Sequence, residues 1–142
     1  MNDNSRPTFL DTNVLIYLYD TRDGHKHQLA NEIVKPLITQ NKLVISNQVL
    51  QEFCNVYLSK LNLPHDDLIS VINSFLGKLV AHVPSIQFYE AAIELQHRYN
   101  LSFYDALVIQ AATDLRCTTF LSEDMQHGQK IGELTIVNPF RI

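Results

Sequence analysis

Short apolar runs alternate with longer stretches of helical periodicity along this chain. Thr8-Phe9-Leu10 reads as a strand, with Pro7 at its start, where a missing N–H is tolerated. Val14 to Tyr19 reads as a short buried helix. His25 to Gln40 carries Leu29, Ile33 and Leu37 at four-residue spacing, which predicts a helix with Pro36 as a possible kink. Leu43-Val44-Ile45 predicts a second strand, and Ser46 or Asn47 the cap of a helix reaching about Ser59. A further helix is expected from about Asp66 to Leu76, stopped by Gly77, before a third strand from Leu79 to Val83. Ser85 caps the helix ending near Asn100, and Ser102 caps another from Tyr104 to Leu115. Thr118 to Leu121 is the fourth expected strand and Thr135-Ile136-Val137 the fifth.

Strands this apolar, separated by helices, predict an α/β domain with a mostly parallel sheet of about five strands covered on both faces. Right-handed crossovers place every strand-to-helix turn at one edge of such a sheet. Ligands bind there, beyond the carboxyl ends of the strands.

The 142 residues, 46% hydrophobic and 18% charged, fit one domain spanning 1–142. A chain of this mass buries roughly two thirds of its unfolded surface, enough to fold without staples. Cys54 and Cys117 lie far apart and make neither a zinc spacing nor a disulfide framework. The longest apolar run, Val14 to Tyr19, is too short to span a membrane, and the polar start offers no signal peptide, so a cytoplasmic location is expected. Net charge is −4, and Lys and Arg occur singly. No basic stripe exists to coat a nucleic acid electrostatically. An enzyme that grips phosphate through a bound cation remains compatible with this balance.

Four carboxylates stand in uncharged surroundings. Asp11 is the only charge between Pro7 and Tyr19, Glu52 the only one between Leu43 and Ser59, and Asp105 the only one between Tyr99 and Thr113. Acids are rarely buried unless paired, so each calls for a reason. Asp124 is the fourth. The helix beginning near Asp105 runs about 16 Å from the active edge and the fourth strand, with its approach, returns about 15 Å. Each acid also has a purely structural explanation. Asp11 can cap the next helix. Ser102 with Asp105 fits a capping box. Glu52 can be a partly exposed acid on an amphipathic helix, and Asp124 a turn residue before Gly128.

If the four converge, two carboxylates about 5.5 Å apart repel by roughly 3 kcal/mol at an effective dielectric near 20. Six such pairs would exceed the stability of a domain, about 5–15 kcal/mol. Either some acids protonate or a cation sits among them. Oxygen ligands favour a hard ion, Mg²⁺ or Mn²⁺, which positions a phosphate, activates a water and stabilises a departing alkoxide.

Phe9-Leu10-Asp11-Thr12-Asn13, Glu52, Tyr104-Asp105-Ala106 and Leu121-Ser122-Glu123-Asp124 together resemble the PIN-domain family. The stretch through Met125-Gln126-His127-Gly128 and the terminal Val137-Asn138-Pro139-Phe140 are most similar to its VapC-like toxin branch. The resemblance covers essentially the whole chain. It implies a three-layer α/β/α fold and a Mg²⁺- or Mn²⁺-dependent endoribonuclease. Asp11, Glu52, Asp105 and Asp124 would hold the metal and carry catalysis, with Asn13 and Ser122 as polar supports. It further implies an RNA substrate, a small antitoxin partner and a homodimer. The family's Thr-x-Asp element is here Ser122-Glu123-Asp124, so a hydroxyl remains, while Glu123 adds a fifth acid.

Other residues carry weaker signals. His25 and His27 diverge on a helix and read as surface. His127 reads as structural, with an approach to substrate as the alternative. Arg22, Lys26 and Lys60 read as solvated cations that could meet RNA phosphates. Phe103 and Tyr104 read as core, with base stacking as the alternative. No P-loop and no Gly-x-Ser-x-Gly element occurs. A phosphatase, a DNA nuclease or a degenerate module that holds a cation without cleaving would carry the same acidic cluster. A receiver-like domain fits poorly, because Asp11 is followed by Thr12-Asn13 rather than a second acid.

Overall fold

Phe9 and Leu10, fully buried, make β1 (Thr8–Leu10) the central strand of the sheet. The computed structural model describes residues 6–141; residues 1–5 and 142, the ends of the expected domain, lie outside the described residues. After β1 come α1 (Thr12–Tyr17) and α2 (Gly24–Thr39), which runs through Pro36, and then β2 (Leu43–Ser46). α3 (Asn47–Val56) continues through a π-helical turn over Tyr57–Leu61. α4 (His65–Val71) continues likewise over Ile72–Leu76 into the single turn of α5 (Gly77–Leu79). β3 (Val80–His82), α6 (Ile86–Tyr99), α7 (Phe103–Asp114), β4 (Thr119–Leu121), β5 (Lys130–Ile131) and β6 (Leu134–Val137) complete the chain.

The strand order is β3-β2-β1-β4-β6-β5. The five expected strands are all parallel, and β5 adds a short antiparallel edge. Helices cover the sheet in a three-layer α/β/α arrangement. Phe9 opposite Phe120 stacks its ring at 5.1 Å and 14°, which fixes the β1–β4 register. With Leu15, Ile45, Phe53, Ile109 and Ile136, all fully buried, these rings form the core. Each such side chain contributes about 1.5–3 kcal/mol.

The chain leaves β1 toward β2 on one side, while β4 returns on the other. β1 and β4 therefore flank the topological switch point, where open α/β sheets place their crevice. Three serine hydroxyls set the helix starts as expected: Ser46 accepts from Val49 N, Ser85 from Phe88 N and Ser102 from Asp105 N. Asn100, left-handed at φ 53°, ends α6.

Two local expectations are corrected. Gly77 does not stop a helix: its backbone is helical, at φ −60° and ψ −27°, and α5 follows. A Cβ there would lie 2.9 Å from the Ile72 carbonyl oxygen, so glycine serves the tight approach of the π-helical turn. The strand Lys130–Ile131 was not expected, because two residues show no alternation. It forms by hairpin pairing to Leu134 and Thr135 across Gly132, whose φ is +60°.

Candidate active site

Asp11 follows the last residue of β1 in extended backbone, and its N–H donates to Leu121 O across the switch point at 3.0 Å. Its carboxylate is held on both oxygens. Thr12 N donates to Oδ1 and Ser122 Oγ donates to Oδ2, each at 2.8 Å. The capping role weighed for Asp11 is thus present, and it does not remove the residue from the crevice. Burial pushes the Asp11 carboxyl up to about 6 against the pull of the Ser122 and Thr12 hydrogen bonds, and the charges of Glu52 and Asp124 add to the rise.

Glu52 sits in the second turn of α3. Its Oε2 accepts from Thr12 Oγ1 at 2.9 Å and its Oε1 from Gln48 Nε2 at 3.0 Å. Asp105 occupies the first turn of α7, just before the helix's buried stretch from Ala106 to Ile109. Ser102 Oγ accepts from its backbone N–H, but among the described residues its carboxylate has no hydrogen-bond partner. Only half of the expected capping box forms, which leaves that carboxylate available. Asp124 is exposed, and Asn13 Nδ2 donates to its Oδ2 at 2.8 Å. Asn13 Oδ1 also accepts from Glu123 N, so one amide clamps the turn after β4 to α1.

All four acids and Asn13 line one cleft of about 410 Å³. Ser122, fully buried, stands behind Asp11 instead of lining the cleft. Glu123 points elsewhere. Its Oε1 accepts from Lys26 Nζ at 2.5 Å and from Tyr17 OH at 3.5 Å, and Lys26 lies over the rings of Tyr17 and Phe140. Its Oε2 is buried and has no hydrogen-bond partner among the described residues. Among the described residues no three acids, histidines or cysteines stand close enough to ligate one ion as they are placed. The acids share a cleft rather than a closed cluster.

Several contributors were not singled out in the sequence. Thr12, 8% exposed, bonds Glu52, and Gln48 meets it from one turn earlier on α3. Asp20 also lines the cleft, but Arg22 grips it through two side-chain bonds at 2.9 and 2.8 Å. The weighed cations therefore divide: Arg22 is engaged with Asp20, Lys26 with Glu123, and Lys60 lines the cleft. His27 Nδ1 meets Tyr17 O, and His127 Nδ1 accepts from Asn138 N; both roles are structural. Phe103 and Tyr104 are not core: they are 42% and 68% exposed, because the two residues opening α7 project before the helix enters the interior.

No curated protein matches the chain significantly. A solved structure described as a toxin-antitoxin complex from Klebsiella pneumoniae is similar in fold, with a TM-score of 0.68 at 20% identity, covering 95% of this chain and 99% of that one. The family model described as PIN domain matches residues 8–130. PIN domains are generally nucleases, hydrolases that generally use divalent metals. With that match running from β1 through β4 and over every residue that lines the cleft, the chain belongs to the PIN-domain family.

Proposed function

We propose that the chain is a Mg²⁺- or Mn²⁺-dependent endoribonuclease, the toxin of a type II toxin–antitoxin pair. In this reading residues 1–142 form one cytoplasmic nuclease domain that dimerises and is silenced by a small antitoxin. The observation that carries it is the meeting of Asp11, Glu52, Asp105 and Asp124 in one cleft from four separate parts of the chain. The fold it shares with a chain of a toxin–antitoxin complex supports the partner.

The donor set fits a hard divalent ion: among the described residues the cleft offers carboxylate oxygens, no thiol and no imidazole. Asp11, Glu52, Asp105 and Asp124 would hold it, and the movement this needs is open to exposed Asp124 and to the unbonded Asp105 carboxylate. When bound, such an ion orients a phosphate, acidifies a water and offsets charge on the leaving oxygen. The chain's own residues set the stage. Ser122 and Thr12 orient Asp11, Thr12 and Gln48 orient Glu52, and Asn13 orients Asp124. One carboxylate takes the proton of the water that attacks the phosphodiester.

The wider spacing of the acids favours one alternative, a degenerate module that binds nucleic acid or a cation and cleaves nothing. Incubation with RNA, DNA and a small phosphomonoester, each in EDTA, Mg²⁺ and Mn²⁺, separates the readings. Metal-dependent RNA cleavage is expected. Cleavage of DNA or the monoester alone assigns a different hydrolase, and no cleavage of any substrate assigns the module.

A further inference from the structure

A second cleft adjoins the acidic one. It measures about 260 Å³, near the lower end of ligand sites at about 300 Å³. Its walls include the rings of Phe88, Tyr89, Phe103 and Tyr104, with the amides of Asn47 and Gln51 at hand. Phe103 and Tyr104 stand edge to face at 5.8 Å and 63°, and Phe88 and Tyr89 likewise at 5.3 Å and 67°. Among the described residues the side-chain amides of Asn47 and Gln51 make no hydrogen bond. The chemistry is that of a flat heteroaromatic ligand: faces to stack on and free donors and acceptors for its edge.

The two clefts are joined. Gln48 Nε2 donates to Glu52 Oε1 at 3.0 Å on the acidic side and to the Tyr104 carbonyl at 3.4 Å on the aromatic side. Tyr104 and Asp105 are consecutive, one lining each cleft. A strand whose phosphate lies among the acids thus has its neighbouring nucleotide beside Tyr104.

Charge points the same way. Of the cations lining the acidic cleft, Arg22 is bound to Asp20, and among the described residues Lys60 alone has no partner. Net charge is −4. Phosphate contacts dominate binding where cations are many, and here they are few. Contacts to a base face have to make up the difference, and stacking on aromatic side chains is the sequence-tolerant way to do so.

We infer that this aromatic cleft is a nucleobase subsite that stacks an unpaired base of the substrate next to the cleaved phosphate. The inference rests on the ribonuclease reading for the identity of the strand. It makes the substrate single-stranded at that position, since a base within a duplex has its faces covered by its stacked neighbours and its edge taken by its pair.

The test uses the full chain and a single-stranded oligoribonucleotide carrying one abasic nucleotide at each position in turn. Binding is read by anisotropy in EDTA and cleavage in Mn²⁺. One abasic position is expected to weaken binding about 5- to 100-fold, the range of one lost stacking contact. Tyr104→Ala is expected to weaken the intact oligonucleotide comparably and to erase that positional penalty, while Tyr104→Phe restores both. Affinity is also expected to fall only slightly with salt. Equal binding by wild type and Tyr104→Ala, or no positional penalty, overturns the subsite even where RNA is cleaved. A positional penalty without cleavage upholds the subsite and sinks the nuclease reading instead. A sedimentation measurement completes the test: a wild-type dimer that Tyr104→Ala converts to monomer gives this face to a second copy and overturns the proposal.

Discussion

Ser122, fully buried just beyond β4, donates its hydroxyl proton to Asp11 Oδ2 at 2.8 Å, so the end of one central strand holds the carboxylate at the end of the next. Removing the hydroxyl takes the donor from one oxygen of a half-buried carboxylate, at about 1 kcal/mol where the cleft lets water replace it and up to about 3 where it does not. Ser122→Ala is therefore expected to lower stability by that amount in denaturant titrations. Because the Ser122 bond pulls the Asp11 pKa down, its loss also moves the Asp11 titration to higher pH. An unchanged pH–stability profile in this variant would uncouple the two residues.

Asp11 itself gives the metal-free protein a pH dependence. With the folded carboxyl raised to about 6, the folded chain keeps a proton that the unfolded chain releases near pH 4. Folding stability therefore falls as pH rises from about 4 to about 6, by at most on the order of 3 kcal/mol, solvent contact at the cleft reducing it. Saturating Mn²⁺ favours the ionised form and is expected to flatten the slope. At 100 times its dissociation constant the ion adds about 2.7 kcal/mol. Thermal melts across pH in EDTA and in Mn²⁺ check both effects, and Asp11→Asn is expected to abolish the slope.

Asp105 and Glu52 differ in what their charge-removing variants disturb. Asp105→Asn breaks no side-chain hydrogen bond among the described residues and is expected to hold metal-free stability within about 0.5 kcal/mol of the parent or raise it. Glu52→Gln keeps both pairings only if the Thr12 hydroxyl turns from donor to acceptor, and it exchanges charge-assisted bonds for neutral ones, at up to about 1 kcal/mol. Both are expected to cut RNA cleavage at least tenfold. Full activity in Asp105→Asn would remove it from the metal set.

Adjacent acids after β4 do different work. Asp124→Asn is expected to reduce cleavage across a Mn²⁺ titration, each lost decade being about 1.4 kcal/mol of transition-state stabilisation. Glu123→Gln instead weakens the tie to Lys26 and Tyr17, so its expected signature is a lower melting temperature with a smaller loss of rate. The reverse ranking would place the ligand on Glu123.

Much of this was legible in the sequence for a local reason. Serine hydroxyls before apolar helices, an apolar triplet before Asp11 and a left-handed Asn100 are each decided within a few residues, so caps and parallel strands emerged near their observed places. The lone acids were legible because an unpaired charge in an apolar stretch is costly wherever the chain goes. The contacts that orient them were not. Ser122 to Asp11 and Asn13 to Asp124 each span 111 residues, and Thr12 to Glu52 spans 40. The split between Glu123 and Asp124 also needed the fold: only packing brings Lys26 of α2 to one and Asn13 of α1 to the other. Phe103 and Tyr104 show the limit most plainly. Their apolar character is written in the chain, but whether a ring faces the interior or a cleft depends on where α7 enters the core, and that the tertiary structure alone decides.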